Sequence, residues 1–164
     1  MQDAPGQPPA PDLKAVSLGQ SRAHDFDPFG GDGEHPEEAK AVIDQDPRST
    51  WSTERYDGGT LNNKPGVGIY VDAKPGVVAR DVDVISPTRG WEGAIYAAPN
   101  GPPPTKLDGF TKLASMSQSK SRTRVKIDTD GKRFRYYLVW ITKLPPEQQT
   151  VKIAEIRLFR LSRA

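Results

Sequence analysis

Ten of the chain's twenty-one carboxylates fall between Asp25 and Asp57, against three basic residues in the same stretch. An oxygen-rich loop of this kind suits a hard cation such as calcium, which takes about six to eight oxygen ligands, or a recognition surface carried by a rigid scaffold. Asp25, Asp27, Asp32 and Glu34 form one candidate group. Their order departs from the EF-hand loop, which needs ligands at alternate positions, a mid-loop glycine and a terminal bidentate Glu. Pro28 and two glycines interrupt it, and an Asx-turn loop with solvated carboxylates is the competing account. A second kind of chemistry is stacking. Sugars bind aromatic faces flanked by fixed polar groups on loops, and Tyr56, Arg89, Trp91 and Tyr96 are candidates, with Arg89–Gly93 read as a turn bearing an exposed ring. A third is charge: Lys120, Arg122, Arg124, Lys126, Lys132, Arg133 and Arg135 could dock on an anionic surface, or simply line the outside of a hairpin with Val125 and Ile127 inward.

Other chemistries find no foothold. The two histidines, His24 and His35, both lie in the acidic region, and no GxSxG, P-loop, HExxH or GxGxxG pattern occurs, so the expectation is a non-enzyme. With no cysteine, disulfides, thiolate metal sites and a Cys nucleophile are excluded. A net charge of +2 is too small to point to nucleic acid, and no window approaches the roughly 18 apolar residues that would span a bilayer.

These candidates need a scaffold, and the rest of the chain supplies a β one. At 164 residues it makes one domain, and fifteen glycines and sixteen prolines imply many short strands and turns. Residues 1–12, with four prolines, read as a disordered or polyproline-like linker, and residues 13–161 as the folded domain. Strands are expected at 13–18, 67–72, 77–85, 93–98, 110–116, 123–128, 134–142 and 151–159, punctuated by Lys-Pro-Gly, Asn-Gly-Pro-Pro-Pro, Asp-Gly and Pro-Pro. Pro36 to Ile43 offers about two helical turns, with Pro first and carboxylates in the first turn. Eight strands with so little helix predict an all-β sandwich of jelly-roll type. Phe134–Thr142 is apolar on both faces, which places it centrally, and Trp51 and Trp140 sit in apolar register. In 77–85, Val78, Val82 and Val84 point inward and Asp81 and Asp83 outward. In the last strand Val151 and Ile153 share one parity, Ile156 and Leu158 the other. The phase must slip near Ala154-Glu155, most simply through a β-bulge that turns a carbonyl and a carboxylate out of the ladder.

The run Ala41-Val42-Ile43-Asp44-Gln45-Asp46-Pro47-Arg48-Ser49-Thr50-Trp51, closed by Ala154-Glu155-Ile156-Arg157-Leu158-Phe159, resembles the discoidin family, the galactose-binding-like or factor 5/8 type C jelly roll that includes family 32 carbohydrate-binding modules. Gln45 stands where that pattern has Gly, and Ser49 where it has Thr. The resemblance covers about residues 13–160. It implies a structural calcium ion joining the loop before Trp51 to the last strand, through Asp44, Asp46, Ser49 and Glu155 with carbonyls such as that of Ala154. Capping of a turn by Asp44, and pairing of Glu155 with Arg48 or Arg157, is the alternative. A narrower likeness, carried by Phe26-Asp27-Pro28, Gly31-Asp32-Gly33-Glu34, Trp51–Tyr56, Lys64–Gly68 and Leu138–Thr142, is to the extracytoplasmic C-terminal domain of actinobacterial MviN-type proteins, where it follows a MurJ-like lipid II flippase. It implies a module outside the cell membrane, monomeric when isolated, near peptidoglycan synthesis. Its partner would be a glycan or cell-wall precursor, or a cell-wall or divisome protein.

Overall fold

The computed structural model describes residues 12–18, 22–30, 33–56, 61, 64–146 and 148–162; of the linker expected at residues 1–12 all but Asp12, whose carbonyl accepts the Ser162 N–H at 3.0 Å, lies outside them, as does the proposed ligand Asp32. Among the described residues are eleven strands: β1 Leu13–Ala15, β2 Ala23–Phe26, β3 Trp51–Ser52, β4 Val67–Val77, β5 Ala79–Ile85, β6 Glu92–Pro99, β7 Thr111–Ser117, β8 Arg122–Lys126, β9 Phe134–Lys143, β10 Lys152–Ile153 and β11 Glu155–Leu161. They form a four-stranded sheet in the order β1-β11-β5-β8, a five-stranded sheet in the order β2-β4-β9-β6-β7, and a small ribbon of β10 with β3. Every pairing is antiparallel. The expected all-β sandwich is therefore what forms. The short β2 and β3 are additional strands, too brief to leave a period-two signature. The Pro36–Ile43 segment is a 3₁₀ helix that buries Ala39, Ala41, Val42 and Ile43.

Alternation along β9 explains the layering. Tyr137, Val139 and Ile141 face the other sheet and pack in one core with Val82, Val84, Ile156, Leu158, Trp51 and Trp91. The intervening Tyr136, Leu138 and Trp140 face outward, yet they too are buried, in a second cluster with Phe26, Tyr70, Ala98 and Phe110. The strand is central and covered on both sides, as its composition requires. The sheet closes tightly here: a Cβ on Gly93 would lie 2.1 Å from the Trp140 carbonyl oxygen, so that crossing demands glycine.

The phase slip in the last strand occurs where the sequence places it, by a different device. Lys152–Ile153 pairs with Ser52 and Trp51 in the ribbon, and Glu155 onward pairs with β5. Ala154 is the joint, its N–H bonded to the Ile85 carbonyl at 2.7 Å. The chain changes sheets instead of bulging within one, and the only irregularity in the β11–β5 ladder falls later, between Phe159 and Arg160. Asp81 and Asp83 do face away from the core, as expected, but they are buried beneath Arg124 and Arg122, which bond them. Val78 lies outside both strands and is half-buried.

Candidate functional site

The outer face of the five-stranded sheet is an aromatic layer. Phe26 meets Phe110 edge-on at 5.2 Å and Trp140 at 5.8 Å, and Tyr70 meets Tyr136 at 5.6 Å, the tilted and T-shaped arrangements that ring quadrupoles favour. The segment between β6 and β7, with its prolines and a short 3₁₀ turn at Leu107–Gly109, lies over this layer and contributes Leu107 and Phe110 to it. Phe29 extends the layer beyond β2, 6.2 Å from Trp140, and is 51% exposed, the one large hydrophobic so open among the described residues. Between them runs a cleft of about 720 Å³ lined by Phe29, Tyr96, Phe110 and Pro28, with Lys106, Asp108 and Lys112 at its edge. Those three charged side chains have no hydrogen-bond or ion-pair partner among the described residues. Apolar rings beside unpaired polar groups are what a sugar, with one C–H face and several hydroxyls, requires.

Of the four ligand candidates from the sequence, Tyr96 lines this cleft. Trp91 does not: it is fully buried, with its indole N–H donating to Ser86 Oγ at 3.2 Å. Tyr56 is buried as well and donates to Glu34 at 2.6 Å, and this burial with the Glu34 bond holds its phenol far above the usual range. Neither ring offers a face to a ligand, because each is packed into the main core. Arg89 is exposed on the turn before β6 but lies away from the cleft. The sequence signal missed Phe29, Lys106, Asp108 and Lys112. Phe29 is flanked by Pro28 and Gly30 in what reads as plain loop, and the lysines lie either side of a turn whose path only the fold decides.

The acidic segment divides into two. In the first half Asp25 accepts the Glu34 backbone N–H at 2.8 Å, and Asp27 pairs with Lys64 at 3.2 Å. Glu34, fully buried, accepts the Glu54 N–H and the Tyr56 hydroxyl and lies 3.8 Å from Lys64. Burial raises its carboxyl above the ordinary value, with the Tyr56 bond opposing. Here Lys64 supplies a positive charge and ties Asp27 to Glu34, while Asp27 Oδ1 and Glu34 Oε2 are buried without a hydrogen-bond partner.

The second half is different. Ser49 Oγ makes a short bond to Asp44 Oδ2 and lies 3.1 Å from the Asp46 carbonyl oxygen. Glu155, 1% exposed at the first position of β11, lies against the Asp44 carboxyl and the Gln45 N–H. Gln45 is left-handed at φ 62°, which folds the loop back toward β11. Burial, opposed by Arg157 and reinforced by Asp44, pushes Glu155 up to about 7. Its Oε1 is buried without a hydrogen-bond partner. Asp46 faces outward and its carboxylate binds Arg48 at 3.0 Å, so its contribution here is the carbonyl and not the side chain. Among the described residues no three Asp, Glu or His side chains converge as a metal cluster. Two adjoining carboxyls, a hydroxyl and a carbonyl, with one carboxylate oxygen left over, nevertheless fit calcium's all-oxygen preference. Ala154, at the sheet joint, precedes Glu155 directly.

With both halves in place the class of architecture is defined: the fold is the discoidin-like β-sandwich of family 32 carbohydrate-binding modules. The chitosan-binding module 1 of a chitosanase/glucanase from Paenibacillus sp. IK-5 superposes with a TM-score of 0.65 at 13% identity, over 88% of this chain and 98% of that one. A module from Clostridium perfringens solved with GalNAc-β-1,3-galactose gives 0.61 at 15%, over 90% and 100%, and the family 32 module of C. perfringens NanJ solved with galactose gives 0.58 at 14%, over 91% and 100%. No protein-family model and no curated protein matches the sequence.

Proposed function

We propose that this chain is a non-catalytic glycan-binding module whose ligand lies in the Phe29–Tyr96 cleft. The observation that carries this is the exposed ring of Phe29 beside Tyr96, with Lys106, Asp108 and Lys112 left unpaired at the edge. Solved structures of the same fold hold galactose and GalNAc-β-1,3-galactose, which supports a sugar as the ligand class. Among the described residues lining the cleft Asp108 is the single carboxylate, whereas glycoside hydrolysis uses a pair of them across the bond. The likeness to MviN-type domains supports a place on the extracytoplasmic side of a peptidoglycan-synthesis membrane protein, with a cell-wall precursor as the glycan. No helix among the described residues is long and apolar enough to cross a membrane.

We further propose that calcium is held by Asp44, Ser49, Glu155 and the Asp46 carbonyl, with the Ala154 carbonyl as a further ligand. The ion would supply positive charge to a like-charged buried pair and lock the loop to the last strand.

The glycan reading is tested by NMR titration with galactose, chitosan oligosaccharides, muropeptides and lipid II headgroup analogues. Shifts should cluster on Phe29, Tyr96, Lys106 and Lys112. Phe29→Ala or Tyr96→Ala should weaken binding roughly tenfold, as losing a stacking contact of about 1 kcal/mol or more requires, with the melting temperature unchanged for the exposed Phe29. If no glycan gives shifts, the module is a protein-interaction domain instead.

A further inference from the structure

Basic side chains in this molecule fall into two populations. Arg48, Lys64, Arg122, Arg124, Arg135, Lys143 and Arg157 each pair with a carboxylate. Others, Lys106 and Lys112 among them, have no such pair, and four of these, Lys74, Arg80, Arg133 and Arg160, line one groove of about 590 Å³ at the end of β4. Its floor is aliphatic, with Val16, Pro75, Val77, Val78 and Leu161, and no described carboxylate lines it. Arg133 donates to the Gly76 carbonyl at 3.1 Å and Arg160 to the Leu161 carbonyl at 3.2 Å. Each guanidinium has five N–H donors, so these single bonds orient the heads and leave most donors free. Arg22 adds a fifth cation beside them, bonded to the Lys74 carbonyl at 3.1 Å.

From this juxtaposition we propose that the groove is a docking site for an acidic peptide segment of a partner protein, with carboxylates on the four basic side chains and an aliphatic side chain on the Val77–Leu161 floor. Charge complementarity selects the sign of the partner, and the floor selects its apolar centre. The lining holds no aromatic ring, so it lacks the stacking face that a sugar uses. It is concave and carries no protruding large apolar side chain of the kind that anchors a domain in a bilayer. Phe29, the exposed one, follows β2, whose last residue pairs with the start of β4 and not its end. The proposal is independent of the glycan cleft.

The test is fluorescence anisotropy of the whole chain with a short fluorescein-labelled peptide of glutamates and aspartates carrying two central leucines. Saturable, salt-sensitive binding is expected. Lys74→Glu or Arg80→Glu, both at exposed positions, should each weaken it roughly tenfold through like-charge juxtaposition, whereas Phe29→Ala leaves it unchanged. Replacing the leucines by serines should also weaken it. Equal binding of a lysine version, indifference to the leucines, or no binding at all would overturn the proposal. So would binding to phosphatidylglycerol vesicles or polygalacturonate without binding to the peptide.

Discussion

Glu155→Gln separates a calcium site from a mere turn. Without the ion, Asp44 and Glu155 bring two carboxyls into contact in a place where Glu155 is 1% exposed. The folded-state value of Glu155 is raised to about 7, above the roughly 4.3 of an unfolded chain. The folded form therefore holds a proton that the unfolded form has lost, and in EDTA this residue lowers stability as pH rises from about 4.3 to about 7. Gln cannot ionise, so Glu155→Gln should flatten that pH dependence and melt no lower than the parent at pH 7 in EDTA. Calcium reverses the ranking. An ion that binds only the folded state at a hundredfold excess over its Kd adds about 2.7 kcal/mol, or roughly 5–10 °C in a domain of this size. The parent should show that rise, larger at pH 8 than at pH 6 because protons compete for the same oxygens. Glu155→Gln, Asp44→Asn and Ser49→Ala should lose most of it, and Asp46→Asn, which leaves the carbonyl in place, should keep it. Differential scanning fluorimetry across pH, with and without calcium, reads all of these. A parent melt that ignores calcium at every pH refutes the ion; a Glu155→Gln variant that melts lower in EDTA refutes the electrostatic account of the pair.

Among the described residues Lys64 is the one cation that pairs with Asp27 and Glu34, whose side chains are 2% and 0% exposed, and Lys64→Met removes it. Breaking such a buried set typically costs about 3–5 kcal/mol, so melting should fall on the order of 10 °C, and Lys64→Arg should restore part of it; an unchanged melt for Lys64→Met contradicts the tie. Arg135 grips Asp72 with two bonds of 2.8 and 2.9 Å and holds its carboxyl below the usual value. The stability this gives is complete above the unfolded value near 3.9 and is lost as pH falls through the folded one. Urea titrations should therefore show the gap between parent and Asp72→Asn closing below about pH 4; a gap that stays constant would point to packing instead.

The sandwich, the central place of Phe134–Thr142 and the phase slip at Ala154-Glu155 were legible because each rests on period-two alternation, which survives in sequence. Burial of Asp81 and Asp83 was not, since alternation gives a side chain's face and not whether Arg122 or Arg124 will fold over it. The same limit misplaced Trp91. Its neighbours Arg89 and Gly90 announce a turn, but the indole swings inward because Ser86 accepts its N–H beneath that turn. The cleft was half visible. Tyr96 could be suspected from its type, whereas Phe29 gains meaning only when the segment between β6 and β7 is laid across the sheet beside it. Asp46 illustrates a subtler gap: motif position proposes its carboxylate as a ligand, and only the fold shows that its carbonyl turns toward Ser49 while its carboxylate pairs with Arg48.

The sheet change at Ala154 also dictates an order of assembly. Among the described residues β3 pairs only with β10, and β1 only with β11. Both early strands therefore pair with segments a hundred or more residues later, while β4 through β9 find most of their neighbours among themselves. Without the segment from Lys152 onward, the five-stranded sheet would keep all of its strands, while the four-stranded sheet would lose β11, which joins β1 to β5. Contacts so distant in sequence close slowly. A chain cut short before Lys152 would leave Trp51 and Ser52 without their ladder partner.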